Sequence, residues 1–194
     1  MAKTWFTGSD NAVKVKASGF SPGNCHRDAR FITFHNEGVN RSCTPGHVEA
    51  LAKYVRDQNI YYHFTYCPLC GQWAQIIPAD HAARSMKGGA VCSAGNSANR
   101  HGINIQICFA GFGTQNLPDP KDWKGAKKFK KIAEEWKIPP KKLNFDKQFR
   151  SKDKWCNSDK GYRGHQHGPF DDHHDIQENK FDFKSFKKNI LKVN

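Results

Sequence analysis

Apolar positions along the chain follow two spacings, one typical of strands and one typical of helices. Residues 29–34 form a mostly apolar run, which predicts a buried strand that ends at His35. Further on, four residues recur at the i, i+3, i+4 and i+7 positions of one helix face: Val48, Leu51, Ala52 and Val55. Because Thr44 and Pro45 are a typical N-cap and first helical residue, we expect an amphipathic helix that ends near Asn59.

Other segments rich in β-branched and aromatic residues also predict strands: residues 61–66, 73–77 and 103–109. The first two flank Cys67-Pro68-Leu69-Cys70-Gly71, whose Pro and Gly indicate a turn, so we expect them to form a hairpin. A weaker alternation at residues 13–17 is compatible with an edge strand. Residues 79–100 are rich in Gly, Ser and Ala and predict a loop with a short helix.

The last third of the chain is basic and predicts two further helices. One face of the first carries Phe129, Ile132, Ala133 and Trp136, and one face of the second carries Phe183, Phe186 and Ile190. Pro139 and Pro140 end the first of them, and a charged loop is expected over residues 141–160. Since strands alternate with helices, we predict one α/β domain over residues 1–194, with a central mixed β-sheet flanked by helices.

Length and charge narrow the function classes only in part. A chain of 194 residues is long enough for one domain with a substantial core. A formal net charge of +13 predicts attraction to a polyanion, which could be nucleic acid, an anionic membrane surface or an acidic cell wall. No apolar stretch is long enough to cross a bilayer, and the first residues lack the apolar run of a secretory signal. We therefore expect the protein to begin in the cytosol.

Histidines are concentrated near the end of the chain. Four of the ten fall within ten residues: His165, His167, His173 and His174. Together with Asp171, Asp172 and Asp175 they form a segment that could be a metal loop or a solvated polar loop, and their density alone does not choose. His35, at the carboxyl end of a predicted core strand, favours the metal loop, because functional groups collect at strand ends in α/β folds.

The order of several motifs resembles the zinc N-acetylmuramoyl-L-alanine amidases, which include phage endolysins and peptidoglycan-recognition proteins. The matching pieces are Phe31-Ile32-Thr33-Phe34-His35, Tyr62-His63-Phe64, Gly71 with Gln75, Ala79-Asp80-His81, Gly102-Ile103-Asn104-Ile105-Gln106-Ile107, Gly164-His165 through Asp175, and Phe181-Asp182-Phe183. The resemblance covers about residues 31–186.

This resemblance implies one zinc ion bound by His35, His165 and Asp175. It implies that Tyr62 and His173 act in catalysis, Tyr62 near the attacking water and His173 at the oxyanion, and that His81 contacts substrate. His167 and His174 are alternatives to the neighbouring ligands. Strand alternation places Tyr62 on the opposite face from Tyr61 and His63, so only one of the two tyrosines can face the metal.

Two positions depart from the family pattern. Where one branch of the family has a glutamate as general base, this chain has Gln106, which does not accept a proton. The Asp-Pro-Gly that usually follows the last ligand is Asp175-Ile176-Gln177 here. If the resemblance holds, Tyr62 or the metal-activated water must take over the role of the base.

By the same resemblance, the activity is hydrolysis of the amide between N-acetylmuramic acid and L-alanine in bacterial peptidoglycan. We expect a monomeric phage endolysin without a stable nucleic-acid partner, held in the host cytoplasm until a holin opens the membrane. The alternatives are a non-catalytic peptidoglycan-binding protein of the same fold and a basic nucleic-acid-binding zinc protein.

Two features bear on the nucleic-acid alternative. The first is Cys67-Pro68-Leu69-Cys70, which could be a partial zinc site or a redox pair. A full structural zinc site needs a second Cys-x-x-Cys, and the sequence has none. The favoured interpretation is therefore two turn thiols without function. The other five cysteines are isolated in the sequence, and an odd total of seven argues against a disulfide scaffold. The second feature is a run of six lysines over residues 121–131, interleaved with Trp123 and Phe129.

Overall fold

The computed structural model describes residues 5–6, 12–15, 29–81, 83, 85, 91–92, 96–97, 104–113, 116–143, 159–164 and 181–193. These residues build a six-stranded mixed sheet with helices packed on both of its faces. The predicted α/β class, with a central mixed sheet flanked by helices, is confirmed. No described helix is both long enough and apolar enough to cross a membrane.

The strands of the main sheet pair in the order β1-β4-β3-β7-β2-β8. Their bounds are β1 Ala12–Lys14, β2 Phe31–Asn36, β3 Phe64–Tyr66, β4 Trp73–Gln75, β7 Asn104–Phe109 and β8 Gly161–Gly164, while β5 Val91–Cys92 and β6 Asn96–Ser97 form a separate antiparallel pair. Strands β3, β7, β2 and β8 are mutually parallel, and β4 returns antiparallel to β3. The predicted hairpin across the cysteine turn is therefore confirmed.

Three helices and two short helical turns complete the described fold. They are α1 Pro45–Asp57, α2 Lys127–Glu135, α3 Phe183–Phe186, a 3-10 turn at Pro120–Asp122 and a π-helical turn at Lys187–Leu191 that continues α3. As predicted, Thr44 is the N-cap of α1, and its side chain accepts a hydrogen bond from the backbone N–H of His47. The apolar stripe of α1 is buried, which explains why this helix packs on the sheet.

The two faces of the sheet have different cores. On one face, Phe34 of β2 packs edge-on against rings from α2 and the C-terminal helix, with centroids 5.8 Å from Phe129 and 5.9 Å from Phe186. On the other face, α1 covers β3 and β4, and its Val48 and Leu51 belong to a smaller apolar cluster. The face that carries Phe34, called the aromatic face below, contains the larger apolar cluster. The opposite face, covered by α1, can therefore carry polar groups.

Two segments differ from the sequence prediction. No strand was predicted over residues 161–164, yet they form the edge strand β8. Their sequence, Gly-Tyr-Arg-Gly, has no apolar alternation, and the strand is held because Tyr162 packs on the aromatic core, 5.9 Å from Phe34. The described part of residues 79–100 contains the β5–β6 pair and no helix.

Candidate functional site

A row of polar side chains is buried on the α1 face of the sheet, across β2, β7 and β8. Its members are Thr33, His35, Asn104, Gln106 and Arg163, each at most 1% exposed. The parallel register places Thr33 beside Gln106 and beside Arg163. Buried polar groups are costly unless they are hydrogen-bonded, so such a row on one face marks this surface as the candidate site.

Arg163 joins three strands in this row. Its Nη2 donates to Asn104 Oδ1 at 2.6 Å, and the Thr33 hydroxyl donates to the same oxygen at 3.0 Å. The guanidinium also lies over the ring of Phe31, 3.6 Å from its centroid. Burial, with a smaller contribution from the charge of Arg30, lowers the pKa of Arg163. These contacts hold the end of β8 against β2 and β7.

His35 lies at the carboxyl end of β2 and is buried. The ring of Tyr62 packs against it, with centroids 4.8 Å apart and planes tilted by 57°. Tyr62 is half-buried. Tyr61 points elsewhere: it is buried in the α1 cluster, and its hydroxyl donates to Asn59 Oδ1 at 2.7 Å. Of the two adjacent tyrosines, Tyr62 is the one in contact with His35.

His63 is fully buried, and both of its ring nitrogens have partners. The backbone N–H of Gln106 donates to Nδ1 at 2.9 Å, so Nδ1 carries no proton. Nε2 is then the protonated nitrogen and donates to the carbonyl of His81 at 2.8 Å. A neutral histidine held in this way has no nitrogen left to bind a metal ion.

His81, the predicted substrate contact, follows β4 on the loop that begins near Pro78. Its Nδ1 lies 2.9 Å from Asp80 Oδ1, and both side chains are half-buried. Through its carbonyl, His81 is linked to His63, which is linked in turn to the backbone of Gln106 on β7. The loop is thereby tied to the strand that carries the polar row.

The remaining predicted site residues, His165, His173 and Asp175, lie outside the described residues. The strand that leads to them is described. β8 ends at Gly164, which pairs with Phe34. Phe34 comes one residue before His35, and Gly164 comes one residue before His165, so each of the paired residues directly precedes a predicted zinc ligand. The imidazole and carboxylate donors of the predicted set are the usual ligands of catalytic zinc.

The cysteine turn differs from its prediction. Cys67 forms a disulfide with Cys43 and not with Cys70, so it is not one of two turn thiols. Among the described residues, Cys70 is a free cysteine beside this disulfide. Sequence reasoning treated Cys43 as isolated, because no local spacing relates residue 43 to residue 67.

The aromatic residues within and just after the lysine-rich segment do not form a binding surface. Trp123, Phe129 and Trp136 are all buried in the aromatic core. Lys128 is buried too, and its Nζ donates to the carbonyl of Phe6 at 2.5 Å. Because nucleic-acid bases stack on exposed rings, these side chains give no support to the nucleic-acid interpretation.

Solved structures similar to this chain include N-acetylmuramoyl-L-alanine amidases. No family model matches the sequence, and no curated protein matches it. The N-acetylmuramoyl-L-alanine amidase LysC from Clostridium intestinale URNW is similar over 94% of this chain and 98% of its own, with a TM-score of 0.53 and 15% identity. The catalytic domain of XlyA is similar over 84% of this chain and 90% of its own, with a TM-score of 0.50 and 15% identity. The chain has the N-acetylmuramoyl-L-alanine amidase fold.

Within the amidase fold, sequence reasoning missed one part of the site. Thr33, Asn104 and Arg163 were not singled out, although they form the hydrogen-bonded support beside His35 and Gln106. Asn104 and Arg163 are 59 residues apart. The only local signal was that Thr33 and Asn104 are polar residues inside predicted strands. This signal does not say which side chains meet in the fold.

Proposed function

We propose that this protein is a zinc-dependent N-acetylmuramoyl-L-alanine amidase, which hydrolyses the amide between N-acetylmuramic acid and the first L-alanine of the stem peptide. The observation that carries the proposal is the buried His35 in contact with Tyr62, beside the strand end that leads to His165. It lies on the polar face of a sheet with the amidase fold.

His35, His165 and Asp175 are the residues that would hold one zinc ion. Two imidazole nitrogens and one carboxylate oxygen leave the fourth position of a tetrahedral ion open, as hydrolytic zinc sites require. Bound zinc would polarise the scissile carbonyl and lower the pKa of water in the site. The chain's own contribution is to orient His35, which the polar row and Tyr62 surround.

Tyr62 and His173 are proposed to support the chemistry. A phenol next to His35 can donate a hydrogen bond to the attacking water or to the oxygen that gains charge. His173 would donate to the same oxygen. Gln106 is uncharged and does not accept a proton, so Tyr62 is the described side chain best placed to orient the water.

The substrate is proposed to be the peptidoglycan of a bacterial wall, with His81 as a contact for the glycan or stem peptide. The net charge of +13 would hold a monomeric enzyme against acidic wall polymers. We further propose that it serves as a phage endolysin, kept in the host cytoplasm and released to the wall by a holin.

Metal analysis and a bond-specific assay test the proposal together. The protein should bind one zinc ion. With purified peptidoglycan it should separate the glycan strands from stem peptides that carry a new N-terminal alanine. His35→Ala and His165→Ala should lose both the zinc and the activity. His63→Ala is the matched control, because its nitrogens are engaged elsewhere, and it should retain zinc.

These measurements are made in a Cys70→Ser background, so that metal bound by cysteines is not counted. Unchanged zinc content in both His35→Ala and His165→Ala would overturn the ligand assignment. His167→Ala and His174→Ala test whether a neighbouring histidine takes the place of His165 or of Asp175.

A non-catalytic peptidoglycan-binding protein is the second candidate, and Gln106 is the observation that favours it. A protein of this kind would sediment with purified cell walls and release no amino groups. The same assay therefore separates the two functions.

A further inference from the structure

Three cysteines meet where the β3–β4 turn reaches the start of α1. Cys67 directly follows β3, Cys70 is on the turn, and Cys43 directly precedes the N-cap of α1. Their sulfur atoms all lie within 4.8 Å of one another. Cys67 is buried, whereas Cys43 and Cys70 are half-buried. The proposed amidase chemistry uses none of them.

The turn directs a backbone amide at one of these sulfur atoms. The N–H of Cys70 donates to Cys67 Sγ at 3.3 Å, and the N–H of Gly71 donates to the carbonyl of Cys67 at 2.9 Å. Gly71 has a φ of 79°, which glycine adopts without strain. A Cβ there would also lie 2.9 Å from Lys124 Cβ. An amide that donates to a sulfur stabilises the thiolate, and the thiolate is the form that binds metals.

The sulfur atoms are close enough to share a metal ion once the disulfide is reduced. Zinc–sulfur bonds of about 2.3 Å place two sulfur ligands of a tetrahedral ion about 3.8 Å apart, so the bonded sulfurs of Cys43 and Cys67 need to separate by only about 2 Å. Among the described residues, no histidine or carboxylate joins this group. The ion would thus have three sulfur ligands and one position for a water molecule.

We propose that Cys43, Cys67 and Cys70 bind one zinc ion when they are reduced, and that the Cys43–Cys67 disulfide is the oxidised form of the same group. A dithiol such as dithiothreitol reduces the disulfide to two thiols and is itself oxidised to a cyclic disulfide. Zinc then replaces the thiol protons, which are released to solvent. Either form links residue 43, before α1, to residue 67, after β3.

This sulfur site is distinct in chemistry from the proposed catalytic site, whose ligands are nitrogen and oxygen. Its expected role is to hold the start of α1 against the sheet, because its ligands come from both sides of that contact: Cys43 precedes α1, and Cys67 and Cys70 follow β3. Cobalt distinguishes the two sites: thiolate ligands give an intense charge-transfer absorption in the near ultraviolet, and imidazole and carboxylate ligands do not.

The test is cobalt titration of the full-length protein after reduction with dithiothreitol and anaerobic removal of the reductant. The wild type should give the thiolate band with one cobalt ion, and zinc should displace it. Cys43→Ser and Cys70→Ser should lose the band, while Cys108→Ala and His35→Ala should keep it. Circular dichroism confirms that each variant is folded.

Alkylation followed by mass spectrometry gives a second readout. In the reduced protein, zinc should protect Cys43 and Cys70 from iodoacetamide, and in the oxidised protein Cys70 should react. If the reduced wild type has no thiolate band, or if Cys70→Ser keeps the full band, the group is only a disulfide with a neighbouring thiol and the proposal is wrong.

Discussion

At the scale of single residues, the site depends on which of two consecutive tyrosines faces His35. Tyr62 contacts the His35 ring, whereas the Tyr61 hydroxyl is bound to Asn59. The two residues have the same chemistry and adjacent positions, so a substitution at each forms a matched pair. Only a hydroxyl near the reacting atoms can affect the chemical step.

Tyr62→Phe should lower kcat by a factor on the order of a hundred or more, as expected when one donor to the developing charge is lost. KM and zinc content should stay nearly unchanged, because the interaction forms mainly in the transition state. Steady-state hydrolysis of a soluble muropeptide measures both constants.

Tyr61→Phe is the control, and it should retain turnover while losing about 1 kcal/mol of stability with its hydrogen bond to Asn59. His173→Ala and His174→Ala form the corresponding pair in the proposed metal loop, and His173→Ala should be the impaired variant. If Tyr61→Phe and His174→Ala are the impaired variants instead, the assignment along strand and loop is wrong by one residue.

At the scale of elements, the segment between β2 and α1 positions the site. The Glu37 carboxylate, directly after β2, accepts a hydrogen bond from the N–H of Gly111 at 2.6 Å and lies 2.6 Å from His47 Nε2 on α1. Thr44 caps the same helix. The end of β2, the end of β7 and the start of α1 are therefore bound together beside His35.

Thr44→Ala should lower the free energy of unfolding by about 1 kcal/mol, because the N–H of His47 loses its capping partner. Gly46→Ala, two residues further on, is the control. No atom lies within 4 Å of the added Cβ, and alanine favours the helix, so stability should be unchanged or rise by up to about 1 kcal/mol. Urea denaturation of both variants measures the difference, and equal stabilities would contradict the capping role.

At the scale of the whole molecule, two properties matter: one sheet face is aromatic, and the chain carries a large positive charge. The aromatic face packs against α2 and the C-terminal helix, which leaves the opposite face for the polar row. The charge of +13 is a property of the whole surface and requires no particular site. It should therefore affect attachment to the wall more than the chemical step.

Sedimentation with purified peptidoglycan that carries acidic polymers should fall as salt is raised from low concentration to about 1 M. Salt shortens the reach of surface charges to about 8 Å at physiological ionic strength and about 3 Å at 1 M. Walls stripped of their acidic polymers are the control and should show little salt dependence. Constant sedimentation across the whole range would mean that charge does not hold the protein to the wall.

Local patterns in the sequence predicted much of the fold. The α1 helix and its cap, the β3–β4 hairpin and β2 ending near His35 are all present, because apolar spacing, capping and turn residues act over a few positions. Strand alternation was wrong about the tyrosines, because residues 61–63 precede β3: both Tyr61 and Tyr62 pack with the α1 cluster, whereas Phe64 lies in the aromatic core. The resemblance to amidases came from the order of such local motifs, and the fold agrees with it.

Other features depended on contacts that no local pattern encodes. β8 exists because Tyr162 and Arg163 find partners on opposite faces of the sheet, and Arg163 reaches Asn104 59 positions away. Cys43 reaches Cys67 across 24 residues. By itself, the sequence determined most of the segments that form helices and strands and which residue types could bind zinc. Only the tertiary structure decided which side chains meet, because burial and strand register bring together residues that lie far apart along the chain.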